Sequence, residues 1–439
     1  MVKVVEREKI DCDHLLGTFM EEEHFDLLID EDVDVYLKSP YNSVNNEDNI
    51  ILMFRKNFFT ADQQLGAYEG LMEAAVQSQN RGLAAGLKAE KCLNRDWVTD
   101  EQALILTNLS KLVDNDSEQF KLSRDQIEQW KFQAKNGSPN RGSVWLGSEV
   151  EKNDFKFDKW LDGIFSKSNK QIVEEVAWIN DKLVSGTTYA NPVNSGIAGW
   201  FGRYPRIPYG RATSYTEHNL EKFKKAYPFL EQLSKGFAEL LPNRYENQIS
   251  CAQRLDQSYY VPNTPFTTIT VNKNFRTAAH KDAGDLASGF SNLTVVAGKG
   301  AKSYSGGYLV LPEIRAAVNI RPGDLLLVAN HDYMHGNTPI VPKTGDIADL
   351  ERISLVCYFR EDMLELGSKM YEDLRYQFVE SRRKNPNHPL WWERWNGVST
   401  GMWTEQEWYD FIKVNYGQEM LDLYHPESKG GTSLDDFFS

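Results

Sequence analysis

The stretch NFRTAAHKDAGDL, residues 274–286, holds residue types that bind metals. His280 and Asp282 stand two apart, and in an extended chain side chains at that spacing point the same way, so an imidazole and a carboxylate would face one ion. Two histidines and one carboxylate on one face of a metal leave its other positions open, the arrangement used by non-haem Fe(II) oxygenases. His-x-Asp alone is a weak pattern. The chain has 8 histidines and a second copy in EEEHFD, where His24 precedes Asp26 by two. The two copies differ in their downstream sequence.

Downstream of Asp282, directly after the apolar run DLLLVAN, the chain reads NHDYMHGNTPIV and offers His331 and His335 as a third ligand. His335 is preferred, because Gly336 lets the backbone approach closely at that point. Next comes ERISLVCYFR, with Arg352 and Ser354 on one face of an expected strand. A guanidinium deep in a barrel suits bidentate binding of an anionic dicarboxylate, and a hydroxyl two residues on can add a hydrogen bond. By itself Arg-x-Ser is an ordinary surface pair. His24 and Asp26 have no such partners after them and read as a solvated face of an acidic helical stretch.

These residues need elements to bring them together. From about 60 to 190 the apolar spacing is helical, as in ADQQLGAYEGLMEAAVQ and KQIVEEVAWINDKLV. Two more helical stretches run from about 216 to 241, with Pro228 marking a bend or break. The period then becomes two in FTTITVN, NLTVVAG, GGYLVLPE, GDLLLVAN and RISLVCYFR, separated by turn residues, as in an all-β barrel or sandwich. In TITVNKNF the alternation sets Thr268, Thr270, Asn272 and Asn274 on one face. After Arg360 the helical period resumes and leads to a Trp-rich end, where Thr404 to Glu407 has the pattern of a capping box. The expected architecture is α+β, with a mainly helical region over 1–195, a strand-rich core with leading helices over 196–362 and a helical, Trp-rich region over 363–439.

The order H-x-D, GGYLVLPE, IRPGDLLLVANHDYMHG and R-x-S resembles the Fe(II)/2-oxoglutarate dioxygenases. The context TPFTTITVNKNFRTAAHKDAGDL followed by HGNTPI is similar to the branch of TET and base-J-binding thymine hydroxylases and their phage and bacterial relatives. The likeness is clearest from about Ile197 to Arg360. It implies a double-stranded β-helix (jelly-roll) core, Fe(II) on His280, Asp282 and His335, and 2-oxoglutarate on Arg352 with Ser354. It further implies O2 as oxidant and hydroxylation of the 5-methyl group of a pyrimidine, 5-methylcytosine or thymine, in DNA. Asn272 is a candidate for the second carboxylate of 2-oxoglutarate or for the substrate, or is a satisfied polar residue near the barrel mouth. Asp285 would accept from a base amine or cap a turn.

With DNA as partner, WFGRYPRIPYGRATSY interleaves Arg203, Arg206 and Arg211 with tyrosines, a composition that suits phosphate contact and base stacking, or a loop joining two regions. The net charge of −14 does not exclude this. Residues 1–50 carry 14 acidic and 4 basic side chains, and 421–439 carry 4 and 1, so the remainder is nearly neutral. The four cysteines are scattered and indicate neither a disulfide framework nor a structural zinc site. No apolar stretch approaches a membrane span or a signal peptide, so a cytoplasmic (intracellular) protein is expected. A hydroxylase of a free nucleotide, amino acid or other small molecule would keep the same iron site without a basic groove. A barrel that had lost its metal would lack at least one of the five residues, and all five are present.

Overall fold

Alternating and fully apolar runs pair here into a large sheet and a four-stranded one, with a cavity lined from both, beside two short two-stranded pairings. In the computed structural model the described residues are 2–38, 46–78, 81–86, 88–89, 100–115, 119–136, 157–183, 187–188, 191–203, 207–298, 303–385, 387 and 405–420. The chain divides into two units, one of Met1–Lys88, Tyr189–Gly202 and Gly210–Leu366, the other of Ala89–Thr188, Arg203–Tyr209 and Gly367–Ser439.

The large sheet of the first unit runs in the order Lys3–Arg7, Val33–Leu37, Ile50–Arg55, Leu325–Val328, Ser291–Val296, Ile353–Tyr358, Thr268–Lys273, Val193–Phe201 and Gln77–Ser78. The small sheet runs Gly336–Asn337, Leu309–Leu311, Ala316–Val318 and Leu27–Ile29. Register carries the chemistry: Asn272 lies opposite Ser195 on one side and Ser354 on the other, and Ser354 lies opposite Val295. Directly paired residues share a face, so Ser195, Asn272, Ser354 and Val295 form one row, and all four line the cavity.

Helices share an apolar core with the large sheet. Helix Ala61–Leu71 starts at Thr60, whose side chain accepts from Gln63 N while Gln63 reaches back, a reciprocal cap. Pro228 sits in the first turn of Tyr227–Leu240, where its missing N–H costs nothing, and a 3-10 turn separates it from Ser214–Phe223. That helix buries Phe229, Leu230, Leu233 and Phe237 at helical spacing.

In the second unit, helices Asp100–Asn115, Arg124–Asn136, Phe157–Gly163 and Asn169–Leu183 gather around Leu106, Leu109, Ile164 and Ile179. Lys369–Lys384 and Glu405–Tyr416 meet at Trp408, which is fully buried and donates its indole N–H to Tyr371 Oη at 2.8 Å. Packing is therefore what Trp408 does. Trp391, Trp392, Trp395, Trp403 and Thr404 lie outside the described residues.

The expectation of a mainly helical 1–195 needs correction. Residues 3–55 supply four strands, and Ile50–Arg55 pairs antiparallel with Leu325–Val328 in the middle of the large sheet. Five consecutive buried residues, Ile50 to Phe54, suit a strand covered on both faces. His24 ends a single 3-10 turn, where its Nδ1 accepts from Glu21 N, and Asp26 pairs with Arg7 and Arg315. The decoy pair is thus held by ordinary surface contacts, in a turn rather than a longer helix. No helix among the described residues is long and apolar enough to cross a membrane.

Candidate active site

The chain segment carrying His280 follows strand Thr268–Lys273, and the one carrying His335 precedes the short strand Gly336–Asn337. The two segments are joined by an antiparallel bridge: His280 N donates to His335 O at 3.0 Å and His335 N to His280 O at 2.9 Å. A Cβ at Gly336 would sit 3.0 Å from the backbone of both Ala278 and Ala279, so the close approach inferred from this glycine is real. Asp282 N donates to Asn330 O, which turns the carboxylate toward both rings. Asp282 Oδ1 lies 3.5 Å from His280 Nε2 and Oδ2 lies 3.5 Å from His335 Nε2. One ligand atom from each of the three falls within 4.8 Å of the others, the only such donor cluster among the described residues.

Each imidazole is oriented through its other nitrogen. His280 Nδ1 is 2.8 Å from Ala278 O and His335 Nδ1 is 3.2 Å from Tyr333 O, so Nδ1 carries the proton and Nε2 keeps its lone pair. Asn330 Nδ2 donates to Asp282 Oδ2 at 3.2 Å. His335 is buried, whereas His280 and Asp282 are partly open. Burial would raise the Asp282 carboxyl, but the His280 and His335 rings facing it outweigh that and hold it well below the usual carboxylate range. Burial would lower His280, and the Asp282 carboxylate reverses that. The cluster thus attracts positive charge, as a cation site must. His331 is different: its Nδ1 turns to Asp332 at 2.8 Å, away from the cluster.

Seven residues singled out in the sequence, Asn272, His280, Asp282, Asp285, His335, Arg352 and Ser354, line one cavity of about 220 Å³. Arg352 is buried, and no carboxylate pairs with it among the described residues. Its Nη1 donates to Ser354 Oγ at 3.2 Å, and its Nε is buried without a partner. Burial pushes its guanidinium down from the usual arginine value. Asn272 Oδ1 accepts from Ser195 Oγ. Asp285 is buried, accepts from Ser291 Oγ at 2.6 Å, and is pushed well up by burial and by the neighbouring Asp282 charge. Asn274 leaves the polar row: the strand ends at Lys273, and Asn274 takes φ 52° with its side chain bonded to Leu350 O and Arg352 N.

Of the three loop arginines, Arg203 is committed elsewhere: Nε and Nη2 hold the fully buried Glu372 carboxylate. This corrects its assignment to phosphate. Arg211 lies over the Phe201 ring and donates to Gly202 O at 3.4 Å, and Arg206 lies outside the described residues. The sequence reading missed Arg81, Thr277, Asn330, Asn337 and Tyr358, which also line the cavity. Asn330, two residues after the strand Leu325–Val328 and directly before His331, carried a positional signal; Arg81, just past the helical run ADQQLGAYEGLMEAAVQ, carried none.

Residues 203–361 match the Tet_JBP family model, described as the oxygenase domain of the 2OGFeDO superfamily. The chain is 31% identical over 200 residues to the bifunctional helicase and thymine dioxygenase JBP2 of Leishmania braziliensis, covering 45% of this chain and 17% of that protein. It is 34% identical over 199 residues to thymine dioxygenase JBP1 of Trypanosoma brucei brucei, covering 45% of this chain and 22% of that one. The chain therefore spans about a fifth of the length of these curated relatives. A solved structure of NgTET1 in complex with 5mC DNA aligns with a TM-score of 0.30 at 20% identity, over 41% of this chain and 68% of that one.

Proposed function

We propose that the chain is an Fe(II)- and 2-oxoglutarate-dependent dioxygenase that hydroxylates the 5-methyl group of a pyrimidine, 5-methylcytosine or thymine, in DNA. The observation that carries this reading is the convergence in one cavity of a His280, Asp282 and His335 donor set with Arg352, a buried cation that has no acid of its own among the described residues. The match to an oxygenase model over 203–361 and the thymine dioxygenase relatives support it. We read the large and small sheets, with the cavity between them, as a double-stranded β-helix.

In this reading His280, Asp282 and His335 hold the iron, with the two imidazole tautomers and the carboxylate set by Ala278 O, Tyr333 O and Asn330. Bound iron with 2-oxoglutarate and O2 supplies the oxidising power that puts oxygen into a C–H bond, with succinate and CO2 as co-products. Arg352 and Ser354 bind the distal carboxylate of the co-substrate, and Asn272 stands in the same row to receive an oxygen. Asp285 lines the same cavity as Asp282 and is the group we assign to the methylated ring. A base inside a duplex cannot reach groups in an enclosed cavity, so the target nucleotide must leave the stack.

Mass spectrometry of nucleosides from 5-methylcytosine- or thymine-containing DNA, incubated with the protein, Fe(II) and 2-oxoglutarate, tests this. The expected products are 5-hydroxymethyl pyrimidines, absent with Asp282→Ala. Succinate formed only with a free nucleotide or amino acid, and none with DNA, would sink the DNA reading and leave the iron site standing.

A further inference from the structure

The mouth of the cavity is lined by three cations, Arg81, Lys281 and Arg360, beside His280, Asp282 and Asp285. Two of them already have acids. Lys281 Nζ lies 3.3 Å from Glu313 Oε1, and Arg360 Nε lies 2.9 Å from Asp362 Oδ1. Arg81 has no carboxylate within pairing distance among the described residues, and its Nε is buried with no hydrogen-bond partner. The same side chain lines the inner cavity, the mouth and a wider groove of about 1070 Å³ that Gln77, Ser78, Thr213, Ser214, Tyr215 and His218 also line. It precedes the segment matched by the oxygenase model. A desolvated guanidinium with open donors is a costly feature unless a ligand completes it, and its planar fork suits a phosphate or carboxylate.

A strand that delivers one base to the cavity carries a phosphate on each side of that nucleotide. Those phosphates stay at the mouth when the base goes in. We infer that Arg81 binds a backbone phosphate flanking the extruded nucleotide, so that it sets the depth to which the base enters and favours nucleic acid over a free nucleoside. This rests on the DNA reading above. Arg352 already answers the co-substrate's distal carboxylate, so Arg81 is free for the substrate.

Fluorescence anisotropy with a labelled single-stranded oligonucleotide containing one 5-methylcytosine tests it, on the full chain. Arg81→Ala is expected to weaken binding about tenfold and to lower the salt slope by about one unit. Two further probes carry a neutral methylphosphonate in place of the phosphate 5′ or 3′ to the methylated nucleotide. One of them should bind wild type as weakly as Arg81→Ala binds the unmodified probe, and Arg81→Ala should lose nothing more on it. Arg81→Lys should keep the salt slope, and Arg81→Gln, which keeps bulk and polarity without the charge, carries the phosphonate comparison if the alanine variant does not fold. Equal phosphonate losses in wild type and variant, or wild-type affinity in Arg81→Ala, would overturn the inference while hydroxylation of DNA kept the wider reading. Loss of DNA-independent succinate formation in Arg81→Ala would assign the arginine to the co-substrate instead. A wild-type protein that binds no oligonucleotide would remove both.

Discussion

His280 and His335 each spend Nδ1 on a backbone carbonyl, which leaves Nε2 facing the Asp282 carboxylate. His331 spends Nδ1 on Asp332 and stands outside the cluster. His335→Ala should therefore weaken Fe(II) binding by more than about a hundredfold, since loss of an outer partner alone costs roughly 10–100-fold. His331→Ala should leave it intact. Anaerobic titration with Fe(II) or Co(II) separates the two, and the reverse result would move the third ligand. Arg352 acts on a different component. With its charge buried and its Nε open, Arg352→Ala should retain metal and weaken 2-oxoglutarate by about 2–4 kcal/mol. Calorimetric titration of the metal-loaded variant with 2-oxoglutarate checks it.

At the scale of elements, the segment bearing His280 is held by more than its own strand. Gly17 N donates to Ala279 O, Ala279 N to Thr18 O, and Ala278 N to Ala84 O, so residues from the first 88 clamp it as well as His335 does. The polar row from Ser195 through Asn272 to Ser354 is likewise a product of three strands in register. The loop arginines show how a compositional signal can mislead. Arg203 faces a carboxylate that is fully buried, with Gly367 N on the same oxygen. Removing these charge-assisted hydrogen bonds from a buried carboxylate should cost about 3 kcal/mol of stability in Arg203→Ala, seen as a lowered denaturation midpoint. An unchanged midpoint would restore Arg203 to the surface role.

For the whole molecule, every proposed ligand of metal and co-substrate lies in the first unit, whose chain is interrupted between Lys88 and Tyr189. The two ends of that interruption are drawn together by Asn191, whose Nδ2 donates to Ala85 O at 3.0 Å and Gly86 O at 3.2 Å. The helices within it have an apolar core of their own. Excising residues 100–183 and closing the gap with a short flexible linker should therefore leave metal and 2-oxoglutarate affinity within about threefold of wild type, on the argument that compact insertions at close ends are separable. Loss of metal binding in the excised protein would show that the inserted helices support the cavity.

The metal and co-substrate residues were legible in the sequence because each depends on short-range geometry. Extended backbone points His280 and Asp282 one way, glycine beside His335 permits contact, and a strand sets Arg352 and Ser354 on one face. Pro228 and the helix boundaries around it were legible for the same reason, since proline acts on its own turn. The acidic stretch before residue 50 gave no sign that it would enter the large sheet, and the apolar run Ile50–Phe54 suits a buried strand without naming its partner. That pairing joins Ile50–Arg55 to Leu325–Val328, and contacts that far apart leave no local periodicity to read. Arg81 at the cavity mouth and Arg203 on Glu372 are of the same kind. A charged side chain looks alike in sequence whether it faces water, a buried acid or an open cavity, and only the folded surroundings distinguish them.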